Sequence, residues 1–395
     1  MTDITLSRVE DFAALGDRWR RLEARSDCSF FQSWTWTGCL AQERFPDPIL
    51  VEATEAGETV ALALFNRRRH RFGADTLFLG ETGIAALDRP YIEDNGVLCI
   101  AGRTADLTTA CLRAARFARL GGRRPWPARR LVINGIDDAT LAATRQVAGS
   151  TWVRHSDPAP YVEILQPERE NSDYLARRSA NTRQQLRRSD RSYAESGALT
   201  LQRAASPAEA HRFLDEMAVL HQARWVARGE PGSFADPFFG RFHHALVERG
   251  LPRGEIALLR ITAGTQVIGI LYNFRFRERM LAYQSGFDYA GPDRRRKPGM
   301  TCHHQAIQSC RGDTITVYDF LAGGDRYKYS LADGIRSLHW LDVAHGGSPR
   351  DLWRRANRWL AGYGCTLRMG GRQRVCKKIV ALRLMLRHFG AWGEG

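Results

Sequence analysis

The chain has 395 residues, 44% of them apolar and 26% charged, and its formal net charge at pH 7 is +15. This length exceeds what one hydrophobic core usually holds, so we expect two domains, and the apolar content excludes a disordered chain. Eight cysteines without a Cys-x-x-Cys pair argue against a zinc ribbon, a disulfide framework or a dithiol redox site.

The start of the chain, MTDITLSRVEDFAALGDRWRRLEARSD, carries early acids and lacks the apolar core of a signal peptide. No apolar run approaches the roughly 18 residues that a membrane-spanning helix needs. We therefore expect a cytoplasmic protein without a transmembrane segment.

An internal repeat organises the chain. Residues 49–68 read ILVEATEAGETVALALFNRR and residues 256–275 read IALLRITAGTQVIGILYNFR, with seven identities at twenty aligned positions. Each copy has two apolar-rich stretches about a glycine-containing turn, which predicts a β-hairpin. After its hairpin, each copy continues with a further strand, a helix and a short buried strand. The helix lies near 104–120 in the first copy and near 299–310 in the second, and the buried strands are RLVINGI and TITVYDFL, respectively. We infer a duplicated α/β domain.

Helix signals lie between the two copies and at the end of the chain. Ser206–Glu209 is a capping box, Gly229 supplies a stop, and Arg177–Ser192 predicts an arginine-rich helix. A second capping box at Ser348 opens a basic tail, in which residues 350–388 contain eleven lysines and arginines against one acid. Its last segment, VCKKIVALRLMLRHF, predicts a cationic amphipathic helix that lies on a membrane surface or on RNA, or else docks on its own domain.

The order of hairpin, strand, glycine-containing loop, helix and buried strand resembles the GNAT superfamily of N-acyltransferases. In that fold a loop of pattern Gln/Arg-x-x-Gly-x-Gly/Ala holds a pyrophosphate on backbone N–H groups at a helix start. RKPGMT takes this place here, so the resemblance implies that Arg296, Gly299 and Thr301 bind the donor. Thr301 departs from the family's small residue, and Pro298 removes one N–H donor.

A wider resemblance covers most of the chain, through FFQSWTWTGCL, SANTRQQLRRSDR, LHQARWVARGEPGSF, YQSGFDY and YDFLAGGDRYKYSLAD. These segments resemble bacterial acyltransferases of cellulose and capsule biosynthesis, which are tandem GNAT proteins similar to the Fem-type aminoacyltransferases. The resemblance implies an α/β (α+β) protein with two tandem GNAT-like domains, each a mixed, mostly antiparallel sheet flanked by helices, and a basic C-terminal helical tail. We expect a non-catalytic domain at 1–160, a catalytic domain at 161–347 with a helical insertion at 173–250, and the tail at 348–395.

In that group the Tyr-Lys pair after the last buried strand belongs to the site, which implies a role for Tyr327 and Lys328. Acyl transfer to an amine forms a tetrahedral oxyanion and releases a proton. Lys328 could neutralise the oxyanion or anchor a phosphate, Asp319 could orient the amine or accept its proton, and Tyr327 could return a proton to the leaving group. Each residue also has a structural alternative. Lys328 could be an exposed loop lysine that pairs with Asp325 or Asp333, and Asp319 could cap a helix or turn. The Tyr327 ring could pack on the strand.

Three further residues are candidates for substrate binding. His221 and Trp225, within HQARW, correspond to a stretch near the acceptor cleft of the related group, although a place in the core is the alternative for Trp225. Gln284 follows an apolar strand and could line the same cleft. The His303-His304 pair has no second ligand cluster at zinc spacing, so we expect no metal.

Three functions remain open. The first is transfer of an acyl group from acyl-CoA, or from a carrier-protein thioester, to an amine or hydroxyl of a small metabolite, sugar or envelope precursor. The second is Fem-type transfer from aminoacyl-tRNA, which the basic charge favours because a tRNA presents many phosphates. The third is a non-catalytic member that scaffolds an envelope-polysaccharide complex through its tail. With any of these functions, the protein could lie peripherally at the inner membrane face through contact of its basic tail with the membrane surface. We expect no tightly bound cofactor in any of these.

Overall fold

A computed structural model describes residues 1–71, 74–121, 128–165, 173–291 and 293–344. The predicted basic tail at 348–395, with its capping box and its amphipathic helix, lies outside these residues. Within the described ranges, no helix combines the length and the apolar character that crossing a membrane requires.

The first half of the described chain alternates strands and helices around a β-hairpin. Its elements are β1 (Asp3–Arg8), α1 (Phe12–Glu23), α2 (Trp34–Thr37), α3 (Ala41–Arg44), β2 (Pro48–Glu55), β3 (Glu58–Arg68), β4 (Thr76–Leu79), β5 (Leu98–Cys99), α4 (Thr104–Phe117), β6 (Arg130–Ile136), α5 (Asp138–Arg145) and β7 (Ser150–Glu163).

The second half follows a similar order. It has one additional helix before its first strand, two helices rather than three before its hairpin and, among its described residues, no counterpart of β5. Its elements are α6 (Ala180–Ala194), β8 (Leu199–Arg203), α7 (Pro207–Val226), α8 (Pro237–Gly250), β9 (Ile256–Ala263), β10 (Gln266–Phe276), β11 (Arg279–Phe287), α9 (Pro298–Ser309), β12 (Val317–Asp319), α10 (Arg326–Leu331) and β13 (Gly334–Ala344).

The sequence repeat forms the two antiparallel hairpins β2–β3 and β9–β10. Ala56 and Gly57 turn the first hairpin with φ angles of 49° and 83°, and Gly264 turns the second with φ 57°. Positive φ is easiest for glycine, which explains the glycine shared by both copies. The predicted duplicated α/β fold is therefore confirmed.

Local helix signals also agree with the structure. Ser206 Oγ accepts the Glu209 N–H at 3.2 Å and so caps α7, whereas the Glu209 carboxylate accepts the N–H of Ala205 at 2.8 Å. The predicted arginine-rich helix is α6, which begins after Ser179, and the two helices predicted after the hairpins are α4 and α9. Serine caps mark the starts of α6 and α7, so these two starts could be predicted without tertiary information, whereas α4 and α9 begin without a side-chain cap.

The described residues form one 13-stranded sheet that runs through both halves. Its order is β1-β2-β3-β4-β6-β13-β7-β12-β11-β10-β9-β8, and β5 adds to β3. The β4–β6 and β11–β12 pairs are parallel, and the other pairs are antiparallel. The sheet is thus mixed and mostly antiparallel, as the resemblance implied.

The two halves exchange their last strands. β13, at the end of the second half, pairs with β6 of the first, and β7, at the end of the first half, pairs with β12 of the second. The exchanged strands also pair with each other from Gly334 opposite Tyr161 to Ala344 opposite Ser150. A domain boundary at residue 160 falls within β7, and the division at that residue stays a prediction.

An aromatic core joins the halves on one side of the sheet. Phe30 stacks on Phe274 with ring centroids 4.2 Å apart, and Trp36 meets Phe242 edge-on at 5.1 Å. All four rings are buried, and each contributes about 1.5–3 kcal/mol by leaving water. The halves are therefore held together by side-chain packing as well as by the sheet.

Candidate functional site

A cleft opens where the parallel strands β11 and β12 part. They pair only from Arg279 to Leu281 of β11, and β12 ends at Asp319 while β11 continues to Phe287. The register between β10 and β11 shifts at this point, so that Tyr283 is an extra residue on β11. Such β-bulges bend a strand and are frequent beside active sites.

The cleft has a volume of about 400 Å³. It gathers five of the predicted site residues, namely His221, Trp225, Gln284, Tyr327 and Lys328. Four other predicted residues do not line it, namely Asp319, Arg296, Gly299 and Thr301.

Lys328 lies on the short helix α10 rather than on the loop that the sequence suggested. Its Nζ donates to the carbonyl oxygens of Phe320 and Ala322, both at 2.9 Å. An ammonium group has three donors, so one remains for a ligand in the cleft. Burial lowers the pKa of Lys328 from its ordinary value. Asp333, an alternative partner, instead binds Arg177 and Arg178.

Tyr327 packs its ring on a histidine that sequence reasoning had set aside. The Tyr327 and His303 rings stack with centroids 5.5 Å apart. Burial raises the pKa of Tyr327, so its phenol keeps its proton at neutral pH. His303 Nδ1 lies 2.8 Å from the Tyr318 hydroxyl, and burial together with the charge of Lys328 lowers the pKa of His303 to about 3. Its imidazole is therefore neutral.

Sequence reasoning missed Glu93. Its carboxylate accepts the Ala322 N–H at 2.6 Å, and the Ala322 carbonyl in turn holds Lys328. Burial raises the pKa of Glu93 to about 7, against the opposing effects of the Ala322 hydrogen bond and the Lys328 charge. Glu93 belongs to the first half and lies 229 positions before Ala322. No local pattern could have connected them.

Asp319 is fully buried beside the cleft and is held by arginines. One carboxylate oxygen accepts the Leu321 N–H at 2.7 Å, and the other accepts from Arg336 Nε at 3.0 Å and from Arg279. Arg336 also pairs with Asp94, next to Glu93. Asp319 thus caps a turn, which was the alternative to catalysis, and it links β11, β12 and β13.

His221 and Gln284 occupy the edge of β11 that β12 leaves open. His221 Nδ1–H donates to the Ser285 carbonyl at 3.2 Å, and Gln284 Oε1 accepts the Ser285 N–H at 3.2 Å. Burial lowers the pKa of His221, which keeps its imidazole neutral. Trp225 is 36% exposed at the mouth of the cleft. The alternative that placed Trp225 in the core is wrong, because α7 ends there at the surface.

The predicted donor loop meets helix α6. The Lys297 N–H donates to Ser189 Oγ at 2.8 Å, and the fully buried Thr301 hydroxyl bonds Ser189 and Asp190 at 2.9 Å. Two N–H groups at the start of α9 are therefore not available to a ligand: that of Lys297 is bound to α6, and Pro298 has none.

The other two residues predicted for the donor loop also pack locally. Arg296 donates to the Ser192 carbonyl at 3.1 Å and to Ser196 Oγ at 2.8 Å. A Cβ at Gly299 would lie 3.3 Å from the Phe287 ring, so the glycine allows close packing. Arg296 also borders a second cavity of about 290 Å³ beside this loop. Binding of a pyrophosphate here stays a prediction.

In the first half, the corresponding space between β4 and β6 is filled by residues 92–95, which we call the bridging segment. The Asn95 N–H donates to the Gly135 carbonyl at 2.9 Å, and the Asn95 side chain donates to the Leu79 carbonyl at 3.0 Å. A Cβ at Gly135 would lie 2.3 Å from the Ile92 carbonyl oxygen. The same segment carries Glu93 to the cleft of the second half.

The sequence from residue 180 to residue 329 matches the acetyltransferase (GNAT) domain family. This part of the chain is a GNAT acyltransferase domain. It contains the parted strands β11 and β12 and every predicted site residue. The chain is therefore an acyltransferase, and all of the predicted site residues lie in the matched part of its second half.

Solved structures share the fold over most of the chain. FemX superposes with a TM-score of 0.56 at 8% identity, covering 89% of this chain and 99% of FemX. The C-terminal domain of a putative lysylphosphatidylglycerol synthetase from Agrobacterium fabrum gives 0.51 at 12% identity, covering 89% and 97%. L-PGS from Bacillus licheniformis gives 0.51 at 9%, covering 85% and 93%. No curated protein matches the sequence.

Among the described residues, no group of three or more histidine, cysteine, aspartate or glutamate side chains is arranged to hold a metal ion. His304 of the His303-His304 pair lies 3.3 Å from an Asp190 carboxylate oxygen instead.

Proposed function

We propose that the protein transfers an acyl group from a thioester, acyl-CoA or an acylated carrier protein, to an amine or hydroxyl of a small metabolite, sugar or envelope precursor. The observation that carries this proposal is the parting of β11 and β12 beside Lys328. The GNAT domain match supports acyl transfer as the reaction class, and the cleft supports this location for the active site.

The open edge of β11 suits an extended donor arm. Ser285 presents its N–H and its carbonyl toward this edge, where His221 and Gln284 now bind them. A chain of amides, such as the arm that carries a thioester in coenzyme A, can pair with an open strand edge through the same groups. Such pairing would direct the thioester carbonyl toward Lys328.

Lys328 and Tyr327 then take the roles that the reaction needs. The acceptor nitrogen bonds to the carbonyl carbon, the carbonyl electron pair moves to oxygen, and the free N–H of Lys328 stabilises that oxyanion. Collapse re-forms the carbonyl and breaks the carbon–sulfur bond. Tyr327 gives its proton to the leaving sulfur and regains one from the nitrogen. In this proposal Asp319 positions the strands and does not transfer a proton.

Transfer from aminoacyl-tRNA is the second candidate, and helix α6 is the observation that favours it. Arg187, Arg188 and Arg191 are exposed along α6, which also covers the start of α9 through Ser189. Exposed arginines suit a phosphate backbone, and an obstructed helix start is less suited to a pyrophosphate.

The deciding experiment compares donors on the purified protein, stripped of nucleic acid at high salt. Binding of acetyl-coenzyme A and of aminoacyl-tRNA is measured at physiological salt, with coenzyme A and uncharged tRNA as competitors. Saturable thioester binding that coenzyme A displaces is the expected result. Preference for aminoacyl-tRNA over uncharged tRNA would indicate that aminoacyl-tRNA is the donor. Binding of neither acetyl-coenzyme A nor aminoacyl-tRNA would contradict both candidates.

A further inference from the structure

The mouth of the cleft carries two arginines on the last turn of α7 and just beyond it. Arg224 and Arg228 line the cleft together with Trp225 and Tyr289. The two aromatic rings are 36% and 49% exposed, respectively, which is unusual for side chains of this size. They form a wall that faces both solvent and the cleft.

Each arginine lies over one of these rings. The Arg224 guanidinium carbon is 4.3 Å from the Tyr289 ring centroid, and that of Arg228 is 5.8 Å from the Trp225 centroid. Burial raises the pKa of Tyr289, and the charges of both arginines act against that rise. Both cations therefore line the same cleft, and both are close enough to Tyr289 to affect its pKa.

Within the described part of the chain, neither guanidinium has an ion-pair partner or donates a hydrogen bond. Two arginines beside the cleft differ, since Arg279 and Arg336 are both bound to Asp319. Stacking on an aromatic face fixes the plane of a guanidinium and leaves its N–H edge free to bind two oxygens of an oxyanion such as phosphate. Two such edges at a concave mouth attract negative charge.

We propose that this mouth is a subsite for a phosphate group on the acceptor, so that the enzyme acylates a phosphate-bearing amine or alcohol. A phosphate monoester carries nearly two negative charges at pH 7, which matches two unpaired guanidinium groups. The proposal rests on acyl transfer in this cleft. The donor's own phosphates have separate cations available, because Arg294, Arg296 and Lys297 border the second cavity at the start of α9.

Calorimetric titration with phenyl phosphate tests the subsite, with benzyl alcohol as the uncharged probe. We expect phenyl phosphate to bind the wild type, benzyl alcohol not to bind, and each of Arg224→Gln and Arg228→Gln to weaken binding about tenfold or more. Arg212→Gln is the matched control, since Arg212 is exposed near the other end of α7 and contacts Glu209. Wild-type binding that is absent, or unchanged in the double variant, overturns the proposal.

A second arm separates acceptor from donor. Phenyl phosphate is titrated again into protein saturated with acetyl-coenzyme A. Unchanged binding supports an acceptor subsite, whereas displacement assigns the arginines to the donor and overturns the proposal. If acetyl-coenzyme A itself fails to bind, the thioester function fails, and the phosphate titration with its variants still decides the subsite.

Discussion

Replacing Glu93 by glutamine tests how the first half supports the cleft of the second. The glutamine keeps an oxygen that can accept the Ala322 N–H, now bonded to Glu93 at 2.6 Å, but it removes the carboxylate charge. Lys328 loses a buried counter-charge, while Asp94 and Asp319 lose a repulsive neighbour. We expect the variant to gain stability at high pH and to lose turnover.

The magnitude follows from the pKa of Glu93, which burial raises from 4.5 to about 7. A carboxyl whose pKa is raised on folding binds its proton more tightly in the folded chain, so stability falls as pH rises from about 4.5 to about 7. At about 1.4 kcal/mol per pKa unit, the loss is roughly 3 kcal/mol, of which about 2.5 kcal/mol falls between pH 5 and pH 8. Glutamine does not ionise and avoids this loss.

Urea unfolding of wild type and Glu93→Gln at pH 5 and pH 8 measures the effect. At pH 5 the variant and the wild type should have similar free energies of unfolding. Between pH 5 and pH 8 the difference between them should change by about 2.5 kcal/mol in favour of the variant. Other titrating groups contribute to both proteins and cancel in the difference. Glu230→Gln, at an exposed position, is the control and should show no dependence. A Glu93→Gln difference that stays constant between the two pH values would refute the reasoning.

Three further substitutions test the site and the sheet. Lys328→Ala should abolish turnover and cost about 1–2 kcal/mol in urea unfolding, because two carbonyl oxygens lose their donor; full activity would remove Lys328 from the proposal. Asp319→Asn should cost about 3–5 kcal/mol in the same assay, since two arginines lose a buried counter-charge, and a neutral effect would contradict that pairing. Gly135→Ala should lower the free energy of unfolding by more than Gly102→Ala does. Both glycines have positive φ, but only a Cβ at residue 135 would meet backbone atoms. Equal losses would show that the bridging segment moves to accommodate the added methyl group.

Much of the fold could be predicted from sequence because its signals are short-range. The two hairpins follow from alternating apolar stretches about glycine turns, and α7 follows from the Ser206 cap. The sequence also pointed to the Tyr-Lys pair and to the residues of HQARW, because the resemblance rests on motifs that keep their order along the chain, and the role of these residues stays a prediction. The cleft brings Tyr327, Lys328, His221 and Trp225 together at one place.

Other features depended on contacts between distant parts of the chain. The exchange of β7 and β13 has no local signal, because either half could pair its own last strand with the same backbone groups. Helix α6 could be predicted as a helix, but its position over the start of α9 could not.

The sequence by itself determined the repeat with its two hairpins and the helices α4, α6, α7 and α9, and the resemblance of its motifs indicated the reaction class. Only the tertiary structure decided which charges are buried and therefore what each can do. Asp319 is buried between two arginines. Glu93 accepts the Ala322 N–H, and the Ala322 carbonyl accepts from Lys328. Burial makes an unpaired charge costly, and these partners come from distant parts of the chain. Arg224 and Arg228 have no ion-pair partner among the described residues, and they lie at a mouth exposed to solvent, where that cost is small.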